Sequence, residues 1–179
     1  KVKIDKTYLD NVSYLNNVNG NAVYKKNSLT DLNLTSEFSS DKKLTYTIKT
    51  NENKEKVIVL FSEYAKPLVK KYKFIKGFED GVIDFYSIKK NNVSTSKLKI
   101  YDFKLNELPA LTKILTLASL QGIADILTGE GIRFKEFEMN FSNKGDLLTI
   151  NEIYAIGPAI SVMMDGYVEK NRLISLRGT

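Results

Sequence analysis

Missing residue types limit the chemistry of this chain more than any motif does. The 179 residues include no Cys and no His, so the usual ligands of zinc, haem and iron–sulfur clusters are absent. A thiol nucleophile and a Ser-His-Asp triad are excluded as well. Carboxylates, Lys, Tyr and Ser remain as catalytic candidates. We assign no catalytic residue, no metal site and no cofactor, and we predict that the protein is not an enzyme.

Three groups of residues could still do chemistry. Glu136 and Glu138 are two apart, which places both carboxylates on one side of a strand, and we interpret them as a solvated face rather than an acid–base pair. Gly129-Glu130-Gly131 follows a predicted helix instead of preceding one, so we interpret it as a helix end and not as a phosphate loop. The lysines at positions 66–76 are typical of a solvated helix face.

The formal net charge of +6 raises nucleic acid or an anionic membrane as partners. Only three of the 27 basic residues are Arg, whereas nucleic-acid sites depend on Arg for phosphate and guanine. The many Lys accompany many Asn and Ile throughout the chain, which indicates a general compositional bias. We therefore predict no nucleic-acid partner. The alternative of a basic nucleic-acid binder would show an affinity that falls steeply with salt.

Alternation of apolar and polar residues with a period of two predicts antiparallel strands in the first part of the chain. The clearest strands are predicted at 32–38, 44–48, 57–61, 82–88 and 97–105. A short helical turn is predicted near 65–72. Hairpin-type turns are predicted at Asn19-Gly20-Asn21, Asp41-Lys42-Lys43, Asn51-Glu52-Asn53, Glu79-Asp80-Gly81 and Lys90-Asn91-Asn92.

The period changes at Leu108, where apolar residues follow helical spacing and Pro109 fits the first turn. We predict one kinked helix or two short ones, followed by strands at 132–141, 147–156, 159–168 and 173–178. The chain thus divides into a β-meander at 1–107 and a helical insertion with a four-strand meander at 108–179, joined in one continuous sheet. Because it begins at Lys1 and ends where a strand is still running, we interpret it as a fragment of a larger protein.

The predicted helices are too few to cover the predicted strands. Strands lie about 4.8 Å apart and a helix is about 10 Å wide, so one helix covers about two strands. Alternation leaves apolar stripes at Phe137, Met139 and Phe141 and at Ile160, Val162, Met164 and Val168. Either the sheet folds back as a sandwich or a closed barrel, or part of its apolar face is open to something other than this chain. The residue pattern alone leaves both possibilities.

A set of short motifs runs in order through about two thirds of the chain. They are Phe61-Ser62-Glu63-Tyr64-Ala65, Gly81-Val82-Ile83-Asp84-Phe85, Lys99-Ile100-Tyr101-Asp102-Phe103, Pro109-Ala110-Leu111, Ala118-Ser119-Leu120-Gln121-Gly122, Gly129-Glu130-Gly131-Ile132-Arg133-Phe134, Gly157-Pro158-Ala159, Asp165-Gly166 and Leu176-Arg177-Gly178. In order and spacing they resemble the C-terminal region of AsmA-like proteins. Only Gly81 stands where that family usually has a pair of glycines.

The resemblance implies a large envelope protein of double-membrane bacteria, anchored in the inner membrane by a segment outside this chain and otherwise periplasmic. Relatives are similar to repeating β-groove proteins that carry phospholipid between the inner and outer membranes. We therefore expect a mainly β (α+β) fold: a long curved antiparallel sheet with an apolar concave face and a short helical insertion. We expect phospholipid acyl chains to contact Phe137, Met139, Phe141, Ile160, Val162 and Met164. The alternative is an envelope assembly scaffold with a closed β-sheet core and no bound lipid.

Overall fold

A computed structural model describes residues 1–39, 41–70, 77–106, 131–158, 160–169 and 173–179. Strands account for 76% of these residues, and all of them belong to one antiparallel sheet. The sheet is not closed. These observations confirm the mainly β fold class, and among the described residues the strands form one open sheet rather than a closed barrel or two packed sheets.

Eleven strands follow one another in the sheet in the order of the sequence. They are β1 (Val2–Tyr8), β2 (Tyr14–Lys25), β3 (Ser28–Phe38), β4 (Lys43–Thr50), β5 (Lys56–Ser62), β6 (Phe78–Lys90), β7 (Val93–Leu105), β8 (Ile132–Lys144), β9 (Leu147–Ile156), β10 (Ser161–Glu169) and β11 (Leu173–Gly178). A single helical turn, α1 (Lys66–Val69), lies between β5 and β6. In the described ranges β1 and β11 are the two free edges of the sheet.

The four strands predicted in the last part of the chain correspond to β8, β9, β10 and β11. Helix α1 falls within the helical turn predicted near 65–72. The helices predicted from Leu108 onward lie outside the described residues. Strands β1 and β2 had no separate prediction, since their many Asn, Lys and Asp residues obscure the alternation.

Two predicted turns are wrong, because both segments lie inside strands. Asn19-Gly20-Asn21 belongs to β2, where Gly20 pairs with Val2 and Leu34. A Cβ on Gly20 would overlap the carbonyl oxygen of Asn33, so this glycine permits the close approach of β3. Glu79-Asp80-Gly81 belongs to β6, where Asp80 and Gly81 have φ of 63° and 82°. They form a local irregularity in a strand that continues on both sides.

Side chains that pair across antiparallel strands point to the same face of the sheet. The register therefore defines three parallel rows, which together we name the apolar face. The first row is Leu44, Ser62, Ile83, Ile100, Phe137, Ala155 and Val162. The second row is Tyr46, Leu60, Phe85, Leu98, Met139, Ile153 and Met164. The third row is Ile48, Ile58, Ser87, Ser96, Phe141, Ile150 and Gly166.

The best-packed part of the core lies where α1 meets the sheet. Phe103 stacks between Phe78 and Phe134, with ring centroids 5.2 and 5.3 Å apart. Strict alternation would put Phe103 and Ile100, three residues apart, on opposite faces. Asp102 between them has a positive φ of 49°, and both Ile100 and Phe103 are buried in one cluster. The irregularity in β7 thereby places the Phe103 ring in the core, beyond the first row.

Candidate functional site

The structure brings five of the six predicted lipid-contacting residues onto the apolar face. Phe137, Met139 and Phe141 come from β8, and Val162 and Met164 come from β10. Strand β9 lies between them and continues each row, as Ala155 does between Phe137 and Val162. All five side chains are half-buried, so each keeps part of its surface accessible.

Ile160, the sixth predicted residue, precedes β10 and is also half-buried. It packs against the buried cluster that contains Phe134 and Ala155. Ile160 therefore lies at the end of the apolar face, next to the core, rather than in its rows.

The apolar face continues well beyond the six predicted residues. Tyr46, Leu60, Phe85 and Leu98 extend the second row across β4 to β7, and all four are half-buried. Seven strands at a spacing of about 4.8 Å give the face a width of about 30 Å. The alternation in each strand was visible in the sequence, but the alignment of the rows depends on the register.

The two buried serines of the third row are hydrogen-bonded to each other. Ser87 and Ser96 are buried in the third row. The Ser96 hydroxyl donates a hydrogen bond to the Ser87 Oγ at 2.8 Å, so this pair adds no unpaired polar group to the face. Among the described residues, every buried side-chain nitrogen or oxygen has a partner.

An open depression of about 830 Å³ lies against β9, β10 and β11. Its lining includes Thr149, Asn151, Asp165 and Arg177 and none of the six predicted residues. The Arg177 Nε donates to the Asp165 Oδ1 at 2.6 Å. Ile150 and Gly166 of the third row also line the depression, so it meets only the β9–β10 end of the apolar face.

The opposite face of the sheet carries a polar cluster on β7, β8 and β9. Its members are Lys97, Lys99, Glu136, Glu138, Asn140 and Tyr154. The Glu138 carboxylate is at the centre. Its Oε1 accepts from Lys97 Nζ and Asn140 Nδ2, both at 2.8 Å, and its Oε2 accepts from Lys99 Nζ at 2.9 Å and the Tyr154 hydroxyl at 3.0 Å.

The interpretation of Glu136 and Glu138 as a solvated pair is wrong for Glu138, which is only 5% exposed. The ammonium group of Lys97 and the other donors around Glu138 lower its pKa to about 2. Burial and the adjacent Glu138 carboxylate raise the pKa of Tyr154 to about 12, and the hydrogen bond to Glu138 raises the pKa of Lys99. These three side chains therefore keep fixed protonation states near neutral pH and supply no proton-transfer group there.

Two further properties hold for the part of the chain that the structure describes. It contains no group of three or more carboxylates able to hold a metal ion. None of its helices has the length and apolar character needed to cross a bilayer.

Comparison with known proteins adds no relative to this description. No protein-family model, curated protein or solved structure matches the chain. The resemblance to AsmA-like proteins therefore remains a prediction from the order of the motifs. Two of those motifs, Asp165-Gly166 and Leu176-Arg177-Gly178, lie on the neighbouring strands β10 and β11. Their glycines permit these strands to approach closely: a Cβ on Gly166 would overlap the carbonyl oxygen of Ser175, and a Cβ on Gly178 would overlap the carbonyl oxygen of Met163.

Proposed function

We propose that this chain is a segment of an AsmA-like envelope protein that carries phospholipid between the inner and outer membranes of bacteria. Acyl chains would lie against the apolar face. The observation that supports the proposal is the second row, which crosses seven strands of the open sheet with half-buried side chains on β4 to β8 and β10 and the buried Ile153 on β9. The periplasmic location and the inner-membrane anchor outside this chain follow from the motif resemblance.

Repeated shallow rows suit transport better than tight binding. Each buried methylene contributes about 0.8 kcal/mol, so a few contacts retain an acyl chain. The half-buried side chains of the second row offer similar contacts from strand to strand, and a lipid therefore meets no deep energy well as it moves. Its headgroup stays in water, which avoids the cost of desolvating a phosphate.

An envelope assembly scaffold is the second candidate, and the free edge strand β11 favours it. Leu173, Ile174 and Leu176 of β11 are exposed, Ile174 by 70%, and an exposed edge can pair with another strand. The closed core that we expected for a scaffold is wrong, because the sheet is open. A scaffold of this kind would use the edge and leave the apolar face without lipid.

Lipid content of the purified protein separates the two functions. We expect mass spectrometry of an organic extract to find glycerophospholipid in roughly stoichiometric amount, since each protein offers one face. The double variant Val162→Asp/Met164→Asp should lose this lipid and its transport in cells, because an acyl chain lying there would have to remove two carboxylates from water.

The matched control is Ser161→Asp/Met163→Asp, which alters exposed residues of the same strand on the opposite face. It should retain the lipid. Circular dichroism must show that both variants fold. A folded wild-type protein without lipid, or equal lipid in both double variants, would contradict the proposed function.

A further inference from the structure

A fourth row lies on the same side of the sheet, directly beyond the third row of the apolar face. We name it the donor row, and it consists of Thr50, Lys56, Lys89, Ser94 and Asn143 on consecutive strands β4 to β8. These side chains provide two ammonium groups, two hydroxyls and one amide, although the Thr50 hydroxyl already donates to the Thr30 carbonyl oxygen at 2.9 Å. The row includes no carboxylate. The apolar face therefore ends, on these five strands, at a positively charged polar border.

Lys56 and Lys89 are direct cross-strand partners. Like charges in directly opposite positions destabilise a sheet, so this pair costs the protein stability unless an anion lies nearby. The adjacent Glu55 is already engaged, because its Oε1 pairs with Lys90 at 3.0 Å and its Oε2 accepts from Asn51 at 2.9 Å. Within the described ranges neither Lys56 nor Lys89 has an ion pair.

The distance from the donor row to the second row fits a lipid tail. Lys56 and Leu60 both lie on β5, and four residues of a strand span about 13 Å. The hydrocarbon part of one membrane leaflet is about 15 Å thick. Ser62 and Ile83 of the first row are already buried, so an acyl chain whose headgroup reaches the two ammonium groups would lie against the half-buried Ile58, Leu60 and Phe85.

We propose that Lys56 and Lys89 bind the phosphate of an anionic glycerophospholipid whose acyl chain lies on the apolar face. This inference rests on the proposed function and adds a headgroup preference to it. A phosphate oxygen accepts hydrogen bonds from both ammonium groups. The positive amine of a zwitterionic headgroup finds no carboxylate in the donor row, so a headgroup with a net negative charge is preferred.

In the test, the whole purified chain is incubated with vesicles that contain equal amounts of phosphatidylglycerol and phosphatidylcholine. The lipid bound to the recovered protein is then quantified. Wild-type protein should capture phosphatidylglycerol with a preference of roughly tenfold. Lys56→Gln/Lys89→Gln should lose the preference and keep the total lipid captured. The control Lys49→Gln/Lys144→Gln removes the same charge from the opposite face near the same strand ends, and should keep the preference.

The outcomes distinguish failure of the headgroup site from failure of the lipid-carrying function. Captured lipid without a headgroup preference in the wild type, or an equal loss of preference in both double variants, overturns the headgroup site and leaves the lipid-carrying function standing. No captured lipid of either kind overturns both. A further arm adds inorganic phosphate at the concentration of lipid phosphate: the preference should persist, and its loss would identify a free-phosphate site instead.

Discussion

Glu138 bears a negative charge in the middle of a sheet face, under the side chains of three strands. Removing a carboxylate from water is costly. Lys97, Lys99, Asn140 and Tyr154 offset that cost with four donor contacts between 2.8 and 3.0 Å. Charge-assisted hydrogen bonds of this length are stronger than neutral ones. The polar cluster therefore holds β7, β8 and β9 in register from the side opposite the apolar face.

Glu138→Gln should lower the free energy of unfolding near neutral pH by about 1–3 kcal/mol, because two lysines lose their shared counterion. The pKa of Glu138 is lowered from 4.5 to about 2 in the folded protein. Its contribution to stability is therefore complete above about pH 4.5 and is lost as the pH falls towards 2. Urea denaturation across this range measures the effect.

The exposed Glu169 provides the control for the Glu138 prediction. Glu169→Gln should leave both the stability at neutral pH and its dependence on acid close to those of the wild type. If Glu138→Gln follows the wild-type stability curve from pH 7 down to pH 2, the polar cluster does not stabilise the sheet as described.

Single-residue chemistry was only partly predictable. The spacing of Glu136 and Glu138 placed both carboxylates on one face of a strand, as found. Their burial depends on Lys99, 37 residues before Glu136, and on Tyr154, 18 residues after it. Which strands lie side by side, and in which register, decides whether such a carboxylate is solvated or enclosed, and a local pattern contains no such information.

At the scale of elements, glycines set how closely neighbouring strands approach. Gly20→Ala should destabilise the protein by about 2–4 kcal/mol, since the new methyl group would collide with the backbone of β3 and force the strands apart. Thermal unfolding measures the change. As a control, Gly145→Asn places a side chain where no atom lies within 4 Å and where φ is +61°, a conformation that Asn tolerates. Equal stability of the two variants would show that β2 and β3 tolerate the added volume.

Local turn chemistry predicted several true hairpins, missed those between β1 and β2 and between β2 and β3, and gave two false ones. Asn51-Glu52-Asn53 and Lys90-Asn91-Asn92 do connect strands, whereas Asn19-Gly20-Asn21 and Glu79-Asp80-Gly81 lie within them. The same residues favour a turn and a tight or irregular strand, because both require small side chains or a positive φ. Only the hydrogen-bonded pairing with strands on both sides distinguishes such a strand segment from a turn.

At the scale of the whole molecule, short links between successive strands predicted the meander order that is observed. Whether the sheet closes depends on the accumulated twist and on the meeting of β1 with β11, which the sequence pattern could not supply. The open sheet presents two chemically different faces. Apolar rows cover one side, and the opposite side combines the ion pairs of the polar cluster with exposed Phe61, Tyr86 and Met163.

Photocrosslinking in living cells tests most directly whether acyl chains lie on the apolar face. Phe85 and Tyr86 are adjacent aromatic residues of β6, with Phe85 in the second row and Tyr86 exposed on the other face. A photoreactive benzoylphenylalanine at position 85, in protein produced in a double-membrane bacterium with radiolabelled phospholipid, should form a lipid adduct on illumination. The same group at position 86 should form almost none. Absence of an adduct at position 85, or equal adducts at both positions, would contradict the account.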